Sequence, residues 1–191
     1  MDVKPLELVT DEDLVQYFSN NLAGLVQDRD TKDYIAKMLA ASAIIERQRA
    51  LHDATPISIM MKKAVSRLRT HAAYSELLNI GDSLLWLSGF YPERISADRI
   101  DDLGFFIGYG ERAYDYAVMA GNKVKDPEPP VRVPYMLANQ FRAMARAIFE
   151  VRARVDIGVI LMSPQAVNDV SRELFGGKRI SVTKHHERVL L

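Results

Sequence analysis

Between Ser75 and Ser88 the chain reads Ser-Glu-Leu-Leu-Asn-Ile-Gly-Asp-Ser-Leu-Leu-Trp-Leu-Ser. At about 100° per residue, Leu77, Leu78, Ile80, Gly81, Leu84, Leu85 and Leu87 fall on one continuous arc covering roughly half a helix circumference. A helix that is apolar over so wide an arc must be buried against more than one neighbour. The remaining sequence has to supply those neighbours.

It does so with further helices. Thr10 followed by Asp11, Glu12 and Asp13 has the form of an N-cap with acids in the first turn. Leu14, Tyr17, Phe18, Leu22 and Leu25 then recur at helical spacing. A second helix is expected from Thr31 past Ile45, with Tyr34, Ile35, Met38, Leu39, Ser42 and Ile45 as its stripe. Thr55-Pro56 offers a start for a short helix, since proline suits the first helical position. The central helix is expected over Ala72–Ser88, ended by Gly89 and Pro92, with a turn or short helix starting near Ser96. The next runs from Asp101 to Ala120 and closes at Gly121-Asn122. No alternation of strand and helix signals is present, so a parallel sheet is not expected.

Lys125-Asp-Pro-Glu-Pro-Pro-Val-Arg-Val-Pro134 holds four prolines, which favour an extended path over a helix. A helix follows from Tyr135 to Val155, with Leu137, Phe141, Met144, Ala145, Ile148 and Val151 on one face. Ile157–Met162 suits a strand or a helix continuation. Ser163-Pro164 starts a last short helix to Phe175, stopped by Gly176-Gly177. The expectation is an all-α multi-helix bundle over residues 1–124, a Pro-rich linker over 125–134, C-terminal helices over 135–177 on the same core, and a basic tail over 178–191.

Charge narrows the partners. The formal net charge is zero, so the whole-molecule field makes no case for nucleic acid or an anionic membrane. Residues 1–33 carry eight acids against three bases, and residues 132–191 carry ten bases against five acids. That asymmetry suits head-to-tail association or a docked terminus. There is no cysteine, which excludes disulfides, thiolate catalysis and cysteine metal sites. The start is acidic and lacks a secretory pattern, and no run reaches the ~20 apolar residues of a membrane span. A cytoplasmic protein is the expectation.

The oddity is Gly81-Asp82 inside the most apolar run. Asp82 lies about 40° outside Leu78, at the edge of the apolar arc. Trp86 falls among Ser75, Asn79 and Ser83, so the helix should be covered on a second side by the linker, another helix or another subunit. Gly81 lies within the arc, where it costs about 1 kcal/mol against alanine. A close helix crossing is the expected return, and Gly104-x-x-x-Gly108 offers a matching small surface.

Gly81-Asp82-x-x-Leu85-x-x-x-Gly89-Phe90-Tyr91-Pro92-Glu93, followed by Phe106-Ile107-x-x-Gly110-x-x-Ala113-Tyr114, resembles a set of small uncharacterised bacterial helical proteins. In these a "GD…L(F/W)…GF(F/Y)P" segment precedes "Y-(Y/I)-x-x-G-x-x-A-Y". The likeness covers residues 70–118, with Phe106 standing where that pattern has Tyr. It implies a bacterial, largely helical, cytoplasmic protein and carries no mechanism.

Catalytic patterns are sparse. His52, His71, His185 and His186 are the only histidines, and none stands in a Glu-x-x-His or His-Glu-x-x-His array. Glu111 and Asp115 share a helix face, the spacing of a carboxylate pair or of a solvated acidic face. Gly108-Tyr-Gly-Glu lacks the Gly-Lys-Ser ending of a phosphate loop. No cofactor and no metal are expected.

Three functional readings follow. The first is a non-catalytic helical protein acting through protein–protein contacts and self-association. Its interaction candidates are Arg142, Arg146, Lys178, Arg179, Val189, Leu190 and Leu191. The second is a small-ligand or hydrolytic pocket lined by Asp82, Trp86, Tyr91, Glu111 and Tyr114. The third is nucleic-acid binding through Arg142, Arg146 and the basic tail.

Overall fold

A computed structural model describes residues 11–43, 57–92 and 102–154. Among these residues the secondary structure is helical throughout: α1 (Asp11–Leu22), α2 (Arg29–Ala43), α3 (Ile57–Val65), α4 (His71–Phe90), α5 (Asp102–Gly121) and α6 (Arg132–Arg154). The expected Thr10 cap, the Ser96 turn, the 157–162 segment, the 163–175 helix and the tail lie outside the described residues. So does Ile45, past which the second helix was expected to run.

Each start has a local cause. Thr70 caps α4 from extended backbone, its hydroxyl accepting from the Ala73 N–H at 3.1 Å. Asp28 caps α2: its carboxylate accepts from the Thr31 N–H at 3.0 Å and from the Thr31 hydroxyl at 2.7 Å. Thr31 was the expected start of this helix. It lies instead in the first turn, fully buried, because an ionised carboxylate is the stronger acceptor for the free N–H groups there. Those bonds, joined by the nearby Arg132 guanidinium, hold Asp28 below the usual carboxylate range. Gly24, at φ 83°, turns the chain after α1.

The helix after the linker begins at Arg132, inside the Pro-rich stretch. Pro134 sits in its first turn, where a missing N–H costs nothing. α6 is kinked at Gln140.

α4 is the central element. It packs against α5, α6 and α3; α1 and α2 pair with each other, both contact α6, and α2 also contacts α4. The core holds Phe18, Leu22, Ile35, Leu39, Tyr74, Leu77, Leu84, Leu85, Tyr114, Leu137, Phe141 and Ile148, all at 2% exposure or less. Among the described residues no helix is long and apolar enough to cross a membrane.

Two sequence expectations about glycine are corrected. Gly89 does not end α4, which continues to Phe90 with the Tyr91 N–H on the Leu87 carbonyl at 3.0 Å. A Cβ at Gly89 would stand 2.6 Å from Ile148 Cβ and 3.0 Å from the Ala145 carbonyl, so this glycine admits α6 to the helix surface. Gly104 and Gly108 do not face Gly81; a Cβ at either would meet nothing within 4 Å.

Trp86 is covered within the chain. It is 5% exposed, stacked on Phe90 at 5.7 Å and edge-on to Tyr91 at 5.1 Å.

Candidate functional site

Gly81 and Asp82 act as a pair. The Tyr114 ring occupies the space a side chain at Gly81 would fill, its nearest carbon 2.7 Å from the ideal Cβ position. Entering there, the ring delivers its hydroxyl to the next residue. Tyr114 donates to Asp82 Oδ1 at 2.7 Å. Tyr34 of α2 donates to Asp82 Oδ2, also at 2.7 Å. One carboxylate on α4 thus joins α2 and α5.

The three groups hold each other's protonation. Protein atoms crowd the Asp82 carboxyl, and burial pushes its pKa up to about 6 against the pull of the Tyr114 and Tyr34 hydrogen bonds. Burial, and then the Asp82 charge, push both tyrosines upward, so both phenols stay protonated donors at neutral pH. Tyr74 lies nearby. Burial, with the charges of Glu128 and Asp82, pushes it up to about 12, and its hydroxyl donates to the Pro129 carbonyl. That bond ties the linker to α4.

Asp82 forms part of an open cleft of about 610 Å³. α2 contributes Asp30, Asp33, Tyr34, Lys37 and Met38. The linker contributes Glu128, Pro129 and Pro130, and Val133 of α6 completes the wall. Four carboxylates face one ammonium, a field that favours cations. Arg29 pairs with Asp33 at 3.8 Å on the outer surface. Arg132 pairs with Asp28 beside the cleft.

The residues singled out in the sequence occupy several places. Asp82 and Tyr114 are in direct contact. Trp86 and Tyr91 lie with Phe90 at the C-terminal end of α4, where the Arg152 guanidinium sits 5.5 Å from the Tyr91 ring centre and donates to the Phe90 carbonyl. Glu111 faces Arg142 at 4.0 Å between α5 and α6. Of the five pocket candidates, Asp82 alone lines the cleft. Arg146 is exposed and pairs with Glu150 at 3.3 Å. Lys178, Arg179, Val189, Leu190 and Leu191 lie outside the described residues, as do His52, His185 and His186. Among the described residues no group of three histidine or carboxylate side chains is placed to hold a metal ion.

Tyr34 is the site residue that periodicity hid, because it stands in the α2 apolar stripe. The available signal was its hydroxyl, which needs a partner once the ring is packed. No family model, curated protein or solved structure matches the chain.

Proposed function

We propose that this chain is a non-catalytic helical protein that works through contacts with other proteins, its own copies included, in the bacterial cytoplasm that the resemblance implies. The observation that carries this is the set of large apolar side chains on the outer surfaces of α5 and α6. Phe105 and Met119 are each 46% exposed, Tyr135 is 56% exposed and Phe149 45%. Inside the bundle, Asp82 supports the same reading: each of its oxygens accepts from a tyrosine of a neighbouring helix, so its first role is to hold helices together. An associating protein melts at higher temperature as its concentration rises, because assembly draws on the folded state. Melting followed from sub-micromolar to tens of micromolar chain should show that rise. A melting temperature independent of concentration opposes the proposal.

The cleft favours a second reading, a small-ligand pocket. Its acidic lining and apolar Met38, Pro129, Pro130 and Val133 suit an organic cation, with the charge toward Asp82 and the carbon skeleton on the prolines. Calorimetric titration with an alkyl diamine tests it. Binding that Asp82→Asn weakens supports the pocket, and absence of heat at low salt removes it.

A further inference from the structure

The outward face of α5 carries large side chains at a regular spacing, two of them, Tyr109 and Tyr116, partly packed on the core. Phe105, Tyr109, Arg112, Tyr116 and Met119 follow one another at steps of four, three, four and three, the repeat of a coiled-coil seam. Phe105, Arg112 and Met119 are exposed, and Tyr109 and Tyr116 are partly so. The Phe105 and Tyr109 rings lie 4.4 Å apart, so the seam is continuous over its first turn. Beside it lie Gly104 and Gly108, open to solvent on a helix that glycine weakens. The chain's other crowded glycines show the use of such openings: Gly81 receives a tyrosine ring and Gly89 an isoleucine.

We infer that α5 pairs with α5 of a second copy of this chain, antiparallel, about a two-fold axis passing close to Arg112; this rests on the self-association proposed above. Three features select a second copy in that orientation. The seam reads nearly the same in both directions, so Phe105 meets the partner's Met119 and Tyr109 meets the partner's Tyr116. The partner's Tyr116 also comes opposite Gly108, a ring over a glycine as at Gly81; a parallel in-register pair would set glycine against glycine. Finally, Arg112 and Asp115 take part in no ion pair among the described residues. Each can reach the other's counterpart across the axis, and an isologous interface makes that pair twice. Antiparallel alignment also opposes the helix dipoles.

The absence of cysteine makes the test clean, since single exposed cysteines can be introduced and oxidised. Arg112→Cys, next to the axis, should link to itself. Phe105→Cys alone and Met119→Cys alone should not link, because identical positions lie about 21 Å apart in this pairing. A mixture of those two proteins should link. Tyr135→Cys on α6 is the control and should stay unlinked. Separately, Gly108→Glu should weaken self-association by roughly tenfold or more, because two carboxylates enter the contact, while circular dichroism stays unchanged. Phe105→Cys linking to itself, or Tyr135→Cys linking as fast as Arg112→Cys, would overturn the antiparallel α5 pair. If the chain nevertheless sediments as a dimer, self-association itself would stand. A chain that sediments as a monomer at tens of micromolar would overturn both.

Discussion

Tyr114 and Gly81 share one space: the phenol ring lies where any larger residue at position 81 would place its Cβ, with contacts of 2.7 to 2.9 Å. The sequence oddity of a Gly-Asp pair in an apolar run has its explanation there. The glycine admits the ring, and the aspartate receives its hydroxyl. Gly81→Ala gains about 1 kcal/mol of helix propensity but forces the ring out and lengthens its bond to Asp82. Overpacking of this kind costs typically 1–3 kcal/mol, and the lost hydrogen bond adds roughly 1 kcal/mol. Denaturant unfolding should show a net loss of about 1–3 kcal/mol. Equal or greater stability in the variant would mean that the ring has room to move.

Asp82 sets a pH dependence with a definite sign. Its pKa rises from 3.8 to about 6 on folding. The folded state therefore holds the proton more tightly than the unfolded chain does. Its contribution is most favourable below about pH 4 and is lost as pH rises to about 6, by up to roughly 3 kcal/mol. Asp82→Asn removes that titration. Subtracting the variant's unfolding free energy from that of the wild type cancels the other acids. The difference should fall between about pH 4 and pH 7 and then level off. A difference that climbs with pH would place the carboxylate in a stabilising ion pair.

Two glycines of similar appearance in the sequence should answer alanine with opposite signs. Gly89→Ala drives a methyl into Ile148 and toward the Ala145 backbone, and should destabilise by roughly 1–3 kcal/mol. Gly108→Ala meets nothing within 4 Å. At concentrations low enough to keep the chain monomeric it should stabilise by up to about 1 kcal/mol. The comparison needs only two denaturation curves, and like signs would contradict the packing at one of the two sites.

The helices were legible because their stripes are periodic: Phe18 and Leu22, Ile35 and Leu39, Leu137 and Phe141 are buried where the spacing puts them. Ends were less legible. Gly89 reads as a stop signal, yet its lack of a side chain serves α6, and only the tertiary contact distinguishes the two uses. Thr31 reads as the start of the second helix, but Asp28, three residues earlier, accepts from its N–H and hydroxyl and starts the helix sooner. The site was half legible. Asp82 stood out as a carboxylate at the edge of an apolar arc. Its partners Tyr34 and Tyr114, 48 and 32 residues away, depend on how three helices meet, and no local pattern encodes that. The cleft draws on α2, α4, the linker and α6, so it exists only after the chain has closed.

Tyr74 tests the linker. Its hydroxyl, 55 residues from the Pro129 carbonyl that it reaches, holds the proline segment against α4. Tyr74→Phe keeps the buried ring and removes that bond, a loss of about 0.5–1.5 kcal/mol. Val133, whose N–H bonds the Pro130 carbonyl at 2.9 Å, should lose amide-exchange protection ahead of α4. Unchanged exchange at Val133 would mean that the prolines hold themselves.

The central claim is that this bundle works through its surfaces, the first of them shared with a second copy of itself. Sedimentation equilibrium of the full chain from sub-micromolar to tens of micromolar tests it most directly. The weight-average mass should climb from 21.6 kDa toward twice that value as concentration rises. A mass fixed at that of a single chain over the whole range would contradict the claim.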